Sequence, residues 1–232
     1  PDTVTYNTVL GMGTFPHRPA TNATELAPSK TISAMSLIDE MKVKGITRDQ
    51  ITYRNAIDSS LHDTDPMDIL QGCLEDTDMI DRKSGKPNGR AVTGVFNTGL
   101  YVLAARQDFA KFKESLTLMF EHEIPPNDET LTVLIHAVGK NGKGSSMEDL
   151  MNLLETTDDA YSSTNSSMHQ ELMDSVGLIE NLGTFRNMPA LGDSHYAHAI
   201  NICLKENEFG KAYTILSKMR ARGISPSTSC ME

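Results

Sequence analysis

Five side chains occupy one recurring position in this chain: Asn7, Arg54, Asn97, Thr132 and Ala197. Each follows an aromatic residue or a leucine: Tyr6, Tyr53, Phe96, Leu131 and Tyr196. Asn and Thr are short and carry both a donor and an acceptor, so they suit recognition of a polar edge and not bond-breaking. Catalytic chemistry finds less support. Gly139-Lys140-Asn141-Gly142-Lys143-Gly144-Ser145 has the flavour of a phosphate-binding loop. That motif needs Gly-Lys-Ser/Thr after a strand, whereas here Gly144 follows Lys143 and a helical pattern precedes, so an inter-helix turn is expected. His195 and His198 lie one helical turn apart, but no third ligand has helical spacing with them, and no metal is expected. Neither a nucleophile–base pair nor a carboxylate pair stands out, so no enzyme activity and no cofactor are expected.

The elements that position those side chains repeat. Pro1-Asp2-Thr3-Val4-Thr5-Tyr6-Asn7-Thr8-Val9-Leu10 returns in degraded form as Val95-Phe96-Asn97-Thr98-Gly99-Leu100, as Pro126 to Ile135, and as Pro226-Ser227-Thr228-Ser229-Cys230. Thr93–Asn127 and Asp193–Ser227 each span 35 residues. A turn-plus-helix signature recurring at a fixed period marks a solenoid. Three exits from the second helix of a unit also match: Met41 to Ile46, His122 to Pro126, and Met219 to Pro226. Gly45 and Gly223 serve as C-caps and Glu123 stands in for glycine in the middle case, while proline just beyond blocks continuation at two of the three.

The Thr-Tyr-Asn-Thr opening and the Met-Arg-Ala-Arg-Gly-Ile-Ser-Pro exit resemble the pentatricopeptide repeat (PPR) family. The resemblance covers Pro1 to Asn127 and Asp193 to Glu232 clearly, and the stretch between them weakly. It implies an all-α fold of helix-turn-helix units stacked into a right-handed α-solenoid. The units are expected at about 3–49, 50–92, 93–127, 128–192 and 193–227, with 228–232 opening another. The 128–192 stretch is either two worn repeats or one with an inserted helix. The chain begins inside a repeat signature without an initiator Met, so a segment of a longer array is expected.

In that family the residue after the aromatic and the last residue of the unit jointly read one RNA base. A polar side chain on the first helix can meet a base's Watson–Crick edge, one unit per nucleotide. By resemblance, Asn7 with Asp49 matches a pair favouring uracil, and Asn97 with Asn127 a pair favouring a pyrimidine. Arg54 with Val92 and Ala197 with Ser227 match no standard pair, and Thr132 has no assigned partner. The implied function is sequence-selective binding of single-stranded RNA, for processing, stability or translation of a mitochondrial or plastid transcript. The plain alternative for Asn7 and Asn97 is that they satisfy backbone N–H groups near a helix start. The aromatics preceding them are expected in the core.

Helices are expected at about Val4 to Gly11, Thr31–Lys44, Gln50 to Leu61, Pro66–Ile80, Val95–Arg106, Phe109–Glu121, Asp128–Gly139, Met147–Leu154, Met168–Leu182, His195–Leu204 and Phe209–Arg220. Prolines 16, 19 and 28 keep the first loop from being helical. Asp65 and Pro66 form a cap and first-turn pair. The acidic run Glu75-Asp76-Thr77-Asp78 reads as a solvated face.

The formal charge of −10 is the wrong sign for whole-surface contact with a phosphate backbone. Local basic clusters exist at Lys83, Lys86 and Arg90, and at Lys211, Lys218, Arg220 and Arg222. Helix dipoles account for the cations at helix ends without any ligand. The charge, the insertions and the worn code positions support an alternative, a protein–protein scaffold using the solenoid groove. Three cysteines without close spacing exclude a disulfide framework. No run reaches the roughly 20 apolar residues of a membrane span.

Overall fold

The structure is a computed structural model that describes residues 1–12, 33–59, 65–82, 84–140, 147–148, 150–152, 154–155 and 189–225. The helices are α1 (Thr3–Met12), α2 (Ala34–Val43), α3 (Gln50–Ser59), α4 (Pro66–Glu75), α5 (Gly89–Ala105), α6 (Phe109–Glu121), α7 (Asp128–Lys140), α8 (Asp193–Lys205) and α9 (Phe209–Ala221). A 3₁₀ turn covers Thr77–Met79, and the described residues near 147–155 are helical. The described residues are all-α apart from one isolated bridge between Ile80 and Pro87. The expected first loop and the helix at Met168–Leu182 lie outside the described residues, as does all but the first two residues of the Gly139–Ser145 motif.

Contacts cluster the chain into two units, Pro1–Val102 and Leu103–Glu232. In the first, α1 packs on α3 and α2 covers both. Gln50 of α3 approaches Gly94 of α5, where a β-carbon would stand 2.1 Å from the Gln50 amide nitrogen. Leu70 of α4 lies so close to Gly99 of α5 that a β-carbon there would meet its methyl at 2.9 Å. In the second unit α7 packs directly on α8, and α8 on α9. Within each unit the packed helices therefore bury their apolar sides against one another, as solenoid repeats do.

Helix exits follow one pattern. Gly45 N donates to Lys42 O and Ile46 N to Met41 O; Glu123 and Ile124 repeat this on Phe120 and Met119, and Gly223 and Ile224 on Arg220 and Met219. Gly45, Glu123 and Gly223 all have positive φ, at 65°, 53° and 73°. These are Schellman-type caps, in which a left-handed residue lets the chain reverse and satisfy orphan carbonyls. Met41, Met119 and Met219, which accept the longer bonds, are fully buried. The turns inside two hairpins match as well: Gln107 and Asn207 have φ near 59° and 60°, and Asp108 and Glu208 donate to Leu103 O and Cys203 O.

Two helix bounds depart from expectation. The α4 helix ends at Glu75, not Ile80. Asp76 takes extended backbone and turns its carboxylate to cap Asp78 N at 3.0 Å. The α5 helix starts at Gly89, six residues before the expected Val95. Asp81 N donates to Lys86 O and Asn88 N to Met79 O, which closes the connector into a tight loop and delivers Gly89 directly into the helix.

Candidate nucleic-acid interface

The recurring aromatics are core residues. Tyr6 is 5% exposed, and Tyr53, Phe96, Leu131 and Tyr196 are fully buried. Their hydroxyls reach acids: Tyr6 donates to Glu40 Oε1 at 2.8 Å, Tyr196 to Glu155 Oε1 at 2.8 Å, and Tyr53 to Asp76 Oδ2. Burial first, with Glu155 adding to it, pushes the Tyr196 phenol up to about 12.

Anchoring the aromatic fixes the residue after it. Asn7 is 9% exposed, donates from Nδ2 to Asp49 Oδ1 at 3.1 Å, and accepts at Oδ1 from the Thr52 hydroxyl at 2.7 Å. Its backbone carbonyl accepts from Asn55 Nδ2 at 2.8 Å. The structure therefore joins Asn7 and Asp49, 42 residues apart in sequence, edge to edge. It also explains why a short polar residue sits at the end of a repeat. Asp49 N-caps α3: its Oδ1 accepts from Thr52 N at 2.9 Å, and Thr52 Oγ1 accepts from Asp49 N at 3.1 Å. Asn127 caps α7 in the same reciprocal way with Thr130, at 3.0 Å each way. Asp2 accepts from Thr5 N at 2.9 Å ahead of α1. Asp49 and Asn127 are thus helix caps, whereas Val92, the expected last residue of the 50–92 unit, lies inside α5.

The other expected readers stand differently. Asn97 is 1% exposed and Ala197 is 5% exposed. Arg54 is half-buried and donates from Nε to Thr98 Oγ1 at 3.1 Å, while its expected partner Val92 is fully buried. Thr132 is exposed, with its hydroxyl returned to Asp128 O at 3.0 Å. Ser227 lies outside the described residues. Asn7 and Asp49 are paired with each other and open to further bonds: the second Asn7 Nδ2 proton, the second Asn7 Oδ1 lone pair and Asp49 Oδ2 have no partner among the described residues. One turn before Asn7 and Arg54, Val4 and Ile51 stand 70% and 56% exposed. These exposed aliphatics were not singled out from sequence, because Val and Ile there read as ordinary helix-face residues.

The charge is distributed unevenly. Helices α1, α3 and α5 carry only Arg54, Asp58 and Arg90 as charged side chains, while Asp2 and Asp49 sit before them as caps. Burial raises the Asp58 carboxyl above its usual range, against the opposing charge of Arg54. The net −10 thus resides mainly off these helices.

The acidic run at Glu75–Asp78 is not a solvated face. Asp76 is 2% exposed and takes a forked contact from Arg48, with Nη2 to Oδ1 at 2.7 Å and Nε to Oδ2. Burial opposes its charge, but the hydrogen bonds from Arg48 and then Tyr53 outweigh it and hold the carboxyl below its usual value. The same surroundings push the Cys73 thiol up to about 12, by burial and then by the Asp76 charge. In the second unit, His136 and His198 stack across α7 and α8 with ring centroids 6.2 Å apart, and His195 Nδ1 accepts from Gly192 N at 3.0 Å. Among the described residues no group of three or more His, Cys, Asp or Glu could hold a metal ion, and no helix is long and apolar enough to cross a membrane.

Residues 194–224 match the family model of the PPR repeat. No curated protein matches the chain. Two solved structures align along 99% of it: the pentatricopeptide repeat protein PPR10 in complex with an 18-nt psaJ RNA element, at 15% identity and TM-score 0.38, and PPR10 from maize, at 14% and 0.29. The chain spans 36% and 35% of those proteins. The matched repeat at 194–224 thus takes in α8 and α9, and the left-handed helix exit that closes it at Gly223 recurs at Gly45 and Glu123.

Proposed function

We propose that this chain binds single-stranded RNA and that Asn7 with Asp49 selects uracil. The observation that carries this reading is the 3.1 Å bond between the two side chains. It fixes the Asn7 amide with Nδ2 toward Asp49 and Oδ1 toward Thr52, so the amide does not flip freely. Uracil offers one N–H donor between two carbonyl acceptors. The open N–H of Asn7 can donate to one uracil carbonyl while Asp49 Oδ2 or Asn7 Oδ1 accepts from the uracil N–H. Val4 and Ile51 supply apolar surface on which a base face can rest. Asn97 with Asn127 is the second candidate pair, for a pyrimidine; Arg54, Thr132, Ala197 and Ser227 contribute less selectivity.

Because α7 packs directly on α8, we read 128–192 as one repeat with an insertion after residue 155. An organellar transcript, in mitochondrion or plastid, is the target class that the family implies, with RNA processing, stability or translation as the outcome. A protein-binding scaffold is the second reading, favoured by the −10 charge and by Phe209 and Tyr213, 64% and 70% exposed one turn apart on α9.

Fluorescence anisotropy against pyrimidine-rich and purine-rich single strands, titrated with salt, separates the two. RNA binding predicts pyrimidine preference and affinity that falls with log salt at about 0.7 per phosphate contacted. Absence of binding at low salt, where attraction is least screened, favours the scaffold.

A further inference from the structure

The geometry points to Arg48 as a positioning residue for base selection, holding the loop that presents Asp49. This rests on the RNA reading above. Arg48 is buried at 8% exposure, and its hydrogen bonds go to groups outside the Asn7–Asp49 pair. Its guanidinium forks onto Asp76, Nη2 reaches Asp78 Oδ2 at 3.0 Å, Nη1 donates to Ile46 O at 3.3 Å, and its backbone N donates to Asp78 Oδ2 at 3.0 Å. The residue immediately before the cap is thereby tied to the exit of the next hairpin, 28 residues on. On the other side, Thr52 holds Asp49 by both backbone and side chain. With both flanks fixed, the Asp49 carboxylate keeps Oδ1 on Asn7. Tyr53 completes the device: its ring fills the core one position before Arg54 and its hydroxyl meets the same Asp76 oxygen as Arg48 Nε. One buried carboxylate thus registers successive units and aims the reading pair of the earlier one.

Removing Arg48 outright strands a buried carboxylate, so Arg48→Lys, which keeps the charge but loses the planar fork, is the primary variant. The double variant Arg48→Met with Asp76→Leu replaces the pair by apolar volume and controls for folding. Two readouts apply to the whole chain. The first is the ¹⁵N-resolved Asn7 side-chain amide signal and the exchange protection of Thr52 N–H in free protein. The second is the affinity ratio for oligouridine over oligocytidine.

Both variants are expected to shift the Asn7 amide and lower Thr52 protection. They are expected to bring the uridine preference down toward unity, a loss of up to about tenfold for one discriminating hydrogen bond, with oligocytidine affinity little changed. An unmoved Asn7 amide overturns the proposal. So does an intact uridine preference despite a moved amide, or an equal loss for both RNAs, which is the mark of general destabilisation. If the native chain shows no uridine preference, the RNA reading fails, and the amide and exchange data still decide whether Arg48 positions Asp49.

Discussion

Asp76 is the residue on which the first unit's charge balance turns. Fully buried, with Arg48 and Tyr53 both on it, it is stabilising only while ionised. Removing one partner of such a pair costs roughly 3–5 kcal/mol, because the other charge is left buried and alone. Asp76→Ala should therefore lower unfolding free energy by about that amount in urea titrations. The pH dependence follows from the depressed carboxyl. Its stabilisation is present above the unfolded value of 3.8 and is lost as pH falls through the lower folded value. Acid titration of the native chain should show this loss below about pH 4, and Asp76→Leu with Arg48→Met should remove it. None of this was legible in the sequence. An ion pair between residues 28 apart leaves no periodic trace, and Glu75-Asp76-Thr77-Asp78 has the composition of a surface. The pairing of Asn7 with Asp49 came from resemblance; what no pattern could show is that Asp49 and Asn127 are helix caps first.

At the scale of elements, the repeated exit is where sequence and structure agree most closely. Gly45 and Gly223 mark the reversal, and the chain at Glu123 reverses all the same, with φ at 53°. A non-glycine residue in the left-handed region costs roughly 1–2 kcal/mol, against about 0.5–1 kcal/mol of extra chain entropy for glycine. Glu123→Gly should therefore stabilise the chain by up to about 1 kcal/mol. Gly45→Ala should destabilise it by a similar amount. Paired thermal melts of the two variants check the sign of each. Local signals of this kind, a glycine followed by an apolar residue, fix a boundary because they act within one turn. The α4 exit was misplaced because Met79 and Ile80 prolong an apolar spacing that Asp76 interrupts through a long-range bond. The α5 start was misplaced because Pro87-Asn88-Gly89 has turn composition, although Gly89 is already helical.

Across the whole molecule, the two units should respond differently to acid. Burial, then Lys140 and Lys205, lowers the His136 pKa; burial, then His136, Lys205 and His195, lowers that of His198. His198 Nε2 is buried with no hydrogen-bond partner among the described residues. Both rings are favoured neutral when folded, so the unfolded chain takes up more protons as pH drops below its value of 6.5, and folded stability falls with it. Hydrogen exchange, corrected for the intrinsic pH effect, should show α7 and α8 losing protection between neutral pH and about pH 5.5, while α3 and α4 hold theirs. Equal loss in both units would contradict this. The same whole-chain view bears on function. A net charge of −10 argues against RNA only if it lies where RNA would, and α1, α3 and α5 carry Arg54 and Arg90 against Asp58.

The central claim, that Asn7 and Asp49 form a uracil-reading pair, is tested most directly by the affinities of oligouridine and oligocytidine for the native chain and for Asp49→Asn at low salt. The substitution keeps a helix cap but replaces an acceptor-only carboxylate with an amide that also donates. A reading pair gives a uridine preference in the native chain that disappears in Asp49→Asn while oligocytidine affinity is retained. Equal affinities in the native chain, or a uridine preference unchanged by the substitution, would contradict it.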